Sequence, residues 1–204
     1  MVKQERAVRT RKALIAAAAD HFSHDGYGPA SLVAISRQAG VTTGALHFHF
    51  PTKEALASAV VTAAAQRLRE LLAGCEARTP SGEALRLLVD AGHELTRRLR
   101  EDAVLRAGFE LDGDLGCPEG IGGVRGLWCL WIQATLEQAE KTGELREGVV
   151  PAQLAAVVYA CTVGLQTLGR RDPGWCSQRM LTRFWSLALP RITADRRGPD
   201  PAGS

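Results

Sequence analysis

Apolar residues return at helical spacing along most of the chain. Between Arg6 and Phe22, Ile15, Ala18, Ala19 and Phe22 share one face, and the alanine-rich stretch favours a helix. The turn residues His24-Asp25-Gly26-Tyr27-Gly28-Pro29 predict a loop after it. Leu32, Ile35 and Ala39 then line one face of a short helix for which Ser31 is the expected N-cap. Gly40 suits the left-handed residue that ends such a helix. Val41 can plug the corner, Thr42 or Thr43 caps a second short helix, and Pro51 disfavours its continuation beyond Phe50.

Longer helices follow. Leu56, Val60, Ala64, Leu68 and Leu71/Leu72 predict one from about Thr52 to Ala73, with Gly74 to Gly82 as the next break. Ala84–Arg100, Ala103–Leu111 and Leu127–Thr142 are the next expected helices. The glycine-rich connection DGDLGCPEGIGGVRG lies before the last of these. Its Gly120-Ile121-Gly122-Gly123 hints at a phosphate loop, but it follows no strand and carries no Gly-Lys-Ser/Thr, so it reads as a flexible connection. Ala152–Leu168 is apolar on most of its circumference, and Ser177–Leu189 is similarly loaded. Helices of that kind must bury two sides, one in their own core and one against a partner. A homodimer interface of four helices is the expectation, with a thick monomeric core as the alternative.

The stretch Ser31 to Lys53 organises the rest. Helix, short glycine-bearing turn and second helix make a helix-turn-helix, whose second helix enters the DNA major groove. With Leu46 inward, Gly44 and Phe48 point away from the core and Ala45 and His47 lie on the flanks. A solvated face would carry Lys and Glu. Small and apolar residues suit a face pressed against base-pair edges, where apolar atoms can meet a thymine methyl.

The run AGVTTGALHFHFPTKEAL resembles the DNA-binding segment of TetR-family transcriptional repressors through Gly40, Val41, Thr42, Gly44, Leu46, His49, Phe50, Lys53, Glu54 and Leu56. His47 stands where that family usually has a phosphate-binding Tyr, and Thr43 where close relatives often carry Lys, which leaves the operator sequence open. The resemblance implies DNA contacts from Ser31, Thr42, Thr43, His47 and Lys53, to which the outward face of the second helix adds Gly44, Ala45 and Phe48. VLRAGFELDG, from Val104 to Gly113, is similar to the γ-butyrolactone receptor branch, whose members repress antibiotic-biosynthesis genes and release DNA on binding a small lactone or antibiotic. That resemblance implies a ligand pocket containing Trp128, with Leu105, Phe109 and Trp131 as further ligand-binding candidates.

Charge and composition fit this picture. Seven basic residues against three acidic ones leave +4 through Lys53 within a total of +3, so the remainder carries −1. The excess sits where phosphate contact would need it. A content of 46% hydrophobic and 23% charged residues is that of a globular chain. No apolar run approaches the ~20 residues of a membrane span, and no signal-peptide core opens the chain. Five cysteines without a CxxC pair suit a reducing cytoplasm and argue against a zinc site. His21 and His24 could meet a metal in principle, but no acidic or thiol partner is expected beside them.

The expected architecture is all-α: a three-helix helix-turn-helix DNA-binding domain at 1–53, a larger helical ligand-binding and dimerisation domain at 54–192, and a disordered tail at 193–204. The expected function is a cytoplasmic repressor, a homodimer on double-stranded operator DNA released by a small-molecule inducer, with no cofactor, metal, membrane or catalytic residues. A ligand-independent DNA-binding regulator and an α-helical enzyme are the alternatives, although no nucleophile–base pair or carboxylate dyad has sensible spacing.

Overall fold

The computed structural model describes residues 2–114 and 123–194. Within these residues nine helices follow one another: α1 Val2–Asp25, α2 Leu32–Gln38, α3 Thr43–His49, α4 Lys53–Glu76, α5 Ala84–Glu101, α6 Ala103–Asp114, α7 Val124–Lys141, α8 Pro151–Gly169 and α9 Gln178–Ile192. The chain gathers into two compact units, Met1–Ala73 with Arg97–Trp128, and Gly74–Thr96 with Cys129–Ser204.

In the first unit α1 buries Leu14, Ile15, Ala18, Ala19 and Phe22 and packs against α6 and α2. It runs beyond the expected Phe22 because local side-chain bonds satisfy its last turn. His24 Nδ1 donates to the Asp20 carbonyl at 2.8 Å, and His21 pairs with Asp25 at 2.9 Å. The expectation that His21 has no acidic neighbour is therefore corrected. Helix α6 starts on Asp102, whose Oδ1 accepts from the backbone N–H groups of Val104 (2.9 Å) and Leu105 (3.1 Å) and pairs with Arg67 of α4. Farther along, α6 lies so close to α4 that a Cβ on Gly108 would fall 2.2 Å from Ala64 Cβ. Only a glycine fits at that crossing.

The end of α6 and the start of α7 are tied together by Asp112. Its Oδ2 accepts from Arg125 N–H at 2.8 Å, and a Cβ on Gly123 would collide with the same carboxylate at 1.7 Å. Most of the glycine-rich connection, including Gly120 to Gly122 and the phosphate-loop question, lies outside the described residues.

In the second unit, Glu144 supplies the N-terminal cap of α5. Its two oxygens accept from Ala84 N–H (2.9 Å) and Leu85 N–H (3.0 Å), a charge-assisted use of the helix dipole. Next to it Leu145 forms a bridge with Thr193, flanked by Arg146 N–H to Ile192 O (2.7 Å) and Ala194 N–H to Glu144 O (2.8 Å). This fastens the end of α9, which continues past Leu189 with Pro190 in its last turn. Thr193 and Ala194 are thus held in place, and residues 195–204 lie outside the described residues.

Helix α8 departs from one expectation. With 19 residues and a mean hydropathy of 1.3 it is long and apolar enough to cross a membrane by length and composition, and 17% of that window is buried within the chain. Val157 and Leu168 on α8 and Leu187 on α9 are exposed.

Two glycines give opposite expectations for the same substitution. Gly108→Ala forces a methyl into the α4–α6 crossing and should lower stability by about 1–3 kcal/mol, as overpacking does. A Cβ on Gly92, inside α5, meets Leu181 Cδ2 at 3.5 Å and Trp185 Nε1 at 3.8 Å, which is ordinary contact. Gly92→Ala should therefore stabilise by roughly 0.5–1 kcal/mol. Denaturant midpoints of the two variants, measured beside the wild type, check both signs.

Candidate functional site

The corner between α2 and α3 is built from local hydrogen bonds. Gly40 takes φ 69°. Its N–H donates to Arg37 O at 3.1 Å and the N–H of Val41 to Ser36 O at 3.0 Å, the paired bonds of a Schellman end. Thr42 Oγ1 then accepts from Ala45 N–H at 3.2 Å and caps α3. Ser31 stands at the N-cap position of α2 in extended conformation, but its side chain makes no cap bond, which corrects the expected role. Leu46 and Phe50 are buried, so α3 turns its other side outward.

The outward side carries the expected residues. Phe48 is 85% exposed, Gly44 and His47 are exposed, and Ala45 is half-buried on the flank. Two polar groups on α3 are partly committed. Ser36 spends its only hydroxyl proton on Val33 O (2.9 Å), so Thr43 donates to Ser36 Oγ at 3.3 Å across the corner. His47 Nδ1 lies 3.4 Å from Pro51 O and can meet a carbonyl only as a donor, which leaves Nε2 facing away.

Lys53 has a structural partner as well. Its Nζ donates to Gly28 O at 2.8 Å and lies 4.8 Å above the Tyr27 ring. The Tyr27 hydroxyl donates to Glu54 at 3.0 Å. Burial, then the Glu54 bond and charge, push the Tyr27 phenol up, while hydrogen bonds from its own backbone, Thr52 and Tyr27 hold the Glu54 carboxyl down. The loop before α2 is thus clamped to the first turn of α4.

Beside the corner, α1, α2 and α3 enclose a groove of about 660 Å³ whose lining includes Arg6, Thr10, Arg37, Thr42, Ala45 and His49. Arg6 and Arg37 were absent from the residues picked by motif. Their charge was the available signal, but their convergence on one groove comes from packing. Arg11, by contrast, lies 5.1 Å above the Phe50 ring and serves the fold.

The ligand candidates divide. Leu105, Phe109 and Trp128 are all buried in the first unit, Trp128 at 1% exposure. Trp131 belongs to the second unit, is half-buried, and donates from Nε1 to Glu76 at 2.8 Å. Among the described residues no group of three or more His, Cys, Asp or Glu side chains could hold a metal ion.

Residues 14–60 match the profile of bacterial regulatory proteins of the tetR family. The chain is 34% identical to the A-factor receptor protein of Streptomyces griseus over 199 residues, which cover 94% of this chain and 67% of that protein. Its fold matches a γ-butyrolactone receptor, an ArpA-like protein, with a TM-score of 0.78 at 28% identity, covering 92% of this chain and 90% of the receptor. CprB of Streptomyces coelicolor, solved with its biological operator sequence, matches with a TM-score of 0.78 at 28% identity over 94% of this chain and 91% of its own. With the family profile over the corner and a relative 34% identical across 94% of the chain, the protein is a member of the TetR family.

Proposed function

We propose that the protein is a ligand-responsive transcriptional repressor that binds operator DNA as a homodimer and is released by a small molecule of the γ-butyrolactone or antibiotic type, controlling antibiotic-biosynthesis genes. The observation that carries this reading is the outward face of α3, with Phe48 exposed and Gly44, Ala45 and His47 around it, on a basic N-terminal segment. Residues 1–53 would be the DNA reader and 54–192 the sensing and dimerising part. Two of the proteins it resembles support operator binding and a lactone response, one solved with its operator sequence and one a γ-butyrolactone receptor. A cytoplasmic site of action and the absence of an enzymatic activity follow from the same reading.

DNA affinity would rest on phosphate neutralisation, with Lys53 among the contacts: one of its three N–H groups is spent on Gly28 and two remain. Lys53→Ala should weaken binding and lower the slope of log K against log salt by about 0.9. Fluorescence anisotropy on an operator duplex from 50 to 200 mM salt measures it, and an unchanged slope would remove Lys53 from the interface.

Dimerisation would cover the exposed apolar side chains of α8 and α9. Leu181 packs against Gly92 of its own chain, so a charge there would damage the fold itself. Leu187, 75% exposed, is the better probe. Leu187→Glu should stay folded, sediment as a monomer at micromolar concentration and lose specific DNA binding, while the wild type sediments as a dimer.

Ligand sensing would involve Trp128 with Leu105 and Phe109. Because Trp128 is fully buried, Trp128→Ala would leave a cavity costing about 3–5 kcal/mol, and loss of function would then be ambiguous. Trp128→Phe keeps most of the volume. It should bind operator normally and need a higher concentration of γ-butyrolactone to let go, read as release of labelled operator. Full burial of Trp128 is equally what a ligand-independent regulator would have, and a wild-type protein that holds its operator at every lactone and antibiotic concentration would favour that second reading.

A further inference from the structure

Helix α3 is unusually poor in groups that read bases by hydrogen bonds. Its seven residues, Thr43 to His49, contain no Arg, Lys, Asn, Gln, Asp or Glu, so none can make the bidentate contacts that distinguish guanine or adenine. The two side chains closest to that task have spent their donors. Thr43 gives its proton to Ser36, and His47 turns Nδ1–H to Pro51 O. What remains outward is a single acceptor, His47 Nε2, and a phenyl ring at 85% exposure. One turn earlier Gly44 has no side chain, and a Cβ there would meet nothing nearer than Thr42 Oγ1 at 3.9 Å, so the helix backbone can approach its target closely at that point.

An apolar ring in a major groove has one methyl group to meet, the thymine 5-methyl, which stands out from the base edge as no other hydrocarbon there does. We infer that Phe48 reads the 5-methyl group of a thymine in each operator half-site, and that sequence discrimination by α3 is carried mainly by this methyl contact. The inference rests on the DNA-binding reading above and specifies its chemistry. Arg6 and Arg37, in the groove beside Ala45, supply the positive charge that draws in the phosphate backbone and holds α3 in place. They carry affinity and register without sequence information, which leaves Phe48 to discriminate between base pairs. The same chemistry extends to 5-methylcytosine, which places a methyl at the same edge of the groove.

The test begins with sites selected from a random duplex library by the full-length protein. In a selected duplex each thymine is replaced in turn by deoxyuridine, which removes the methyl and leaves every hydrogen-bonding group. One thymine per half-site should lose about four-fold in affinity, the effect of burying one methyl-sized group. Replacing that T·A pair by C·G should weaken binding, and 5-methylcytosine in the same place should recover the methyl's share. Phe48→Ala, at an exposed position, should keep the wild-type circular dichroism and bind thymine and deoxyuridine duplexes equally. Failure to select any sequence would defeat the DNA-binding reading itself. Specific binding with no uracil-sensitive position, or a Phe48→Ala variant that keeps the full thymine preference, would overturn the role of Phe48 and leave the DNA-binding reading standing.

Discussion

A single left-handed residue sets the geometry on which the corner between α2 and α3 depends. Gly40, at φ 69°, lets α2 stop and α3 begin within the four residues from Ala39 to Thr42. A side chain with a Cβ pays about 1 kcal/mol or more in this conformation. Because the turn is so short, the direction of α3 follows from the direction of α2, and Leu46 and Phe50 can be buried only on one side. The outward position of Phe48 is then a geometric consequence of a backbone requirement eight residues earlier.

The charges near that corner play two parts. Arg11 over Phe50 and Lys53 over Tyr27 are each placed on an aromatic ring, with Lys53 also bonded to Gly28 O. They fix the walls of the first unit, and their charge is still present for a polyanion because neither is neutralised by a carboxylate in these contacts. Arg6 and Arg37 stand in the groove beside α3. A structure that stiffens its own frame with cations on aromatic faces keeps its positive potential while it gains order.

Acidic groups do a different job. Asp102, Asp112 and Glu144 each accept backbone N–H groups at the start of a helix: α6, α7 and α5 respectively. The charge of each is matched to the positive end of a helix dipole. These carboxylates are therefore engaged in holding elements together. In α6, the cap by Asp102 and the bare crossing at Gly108 fix the helix that carries Leu105 and Phe109 against α4.

Much of the fold was legible in the sequence because its signals are local. Helical periodicity, the glycine at the end of α2, the threonine cap of α3 and the orientation of Phe48 all depend on residues within two turns of one another, and the structure reproduces them. The family resemblance rested on that same stretch. The rest was decided by partners that sequence spacing does not bring together. Glu144 caps a helix whose start lies about 60 residues earlier, Lys53 meets Gly28 across a loop, and Gly108 is required by a helix crossing. The exposed apolar face of α8 and the separation of Trp131 from Trp128 into different units are of the same kind. Such contacts depend on which side chains meet once the helices have packed. A one-dimensional pattern records which face of a helix is apolar, but not which neighbour covers it.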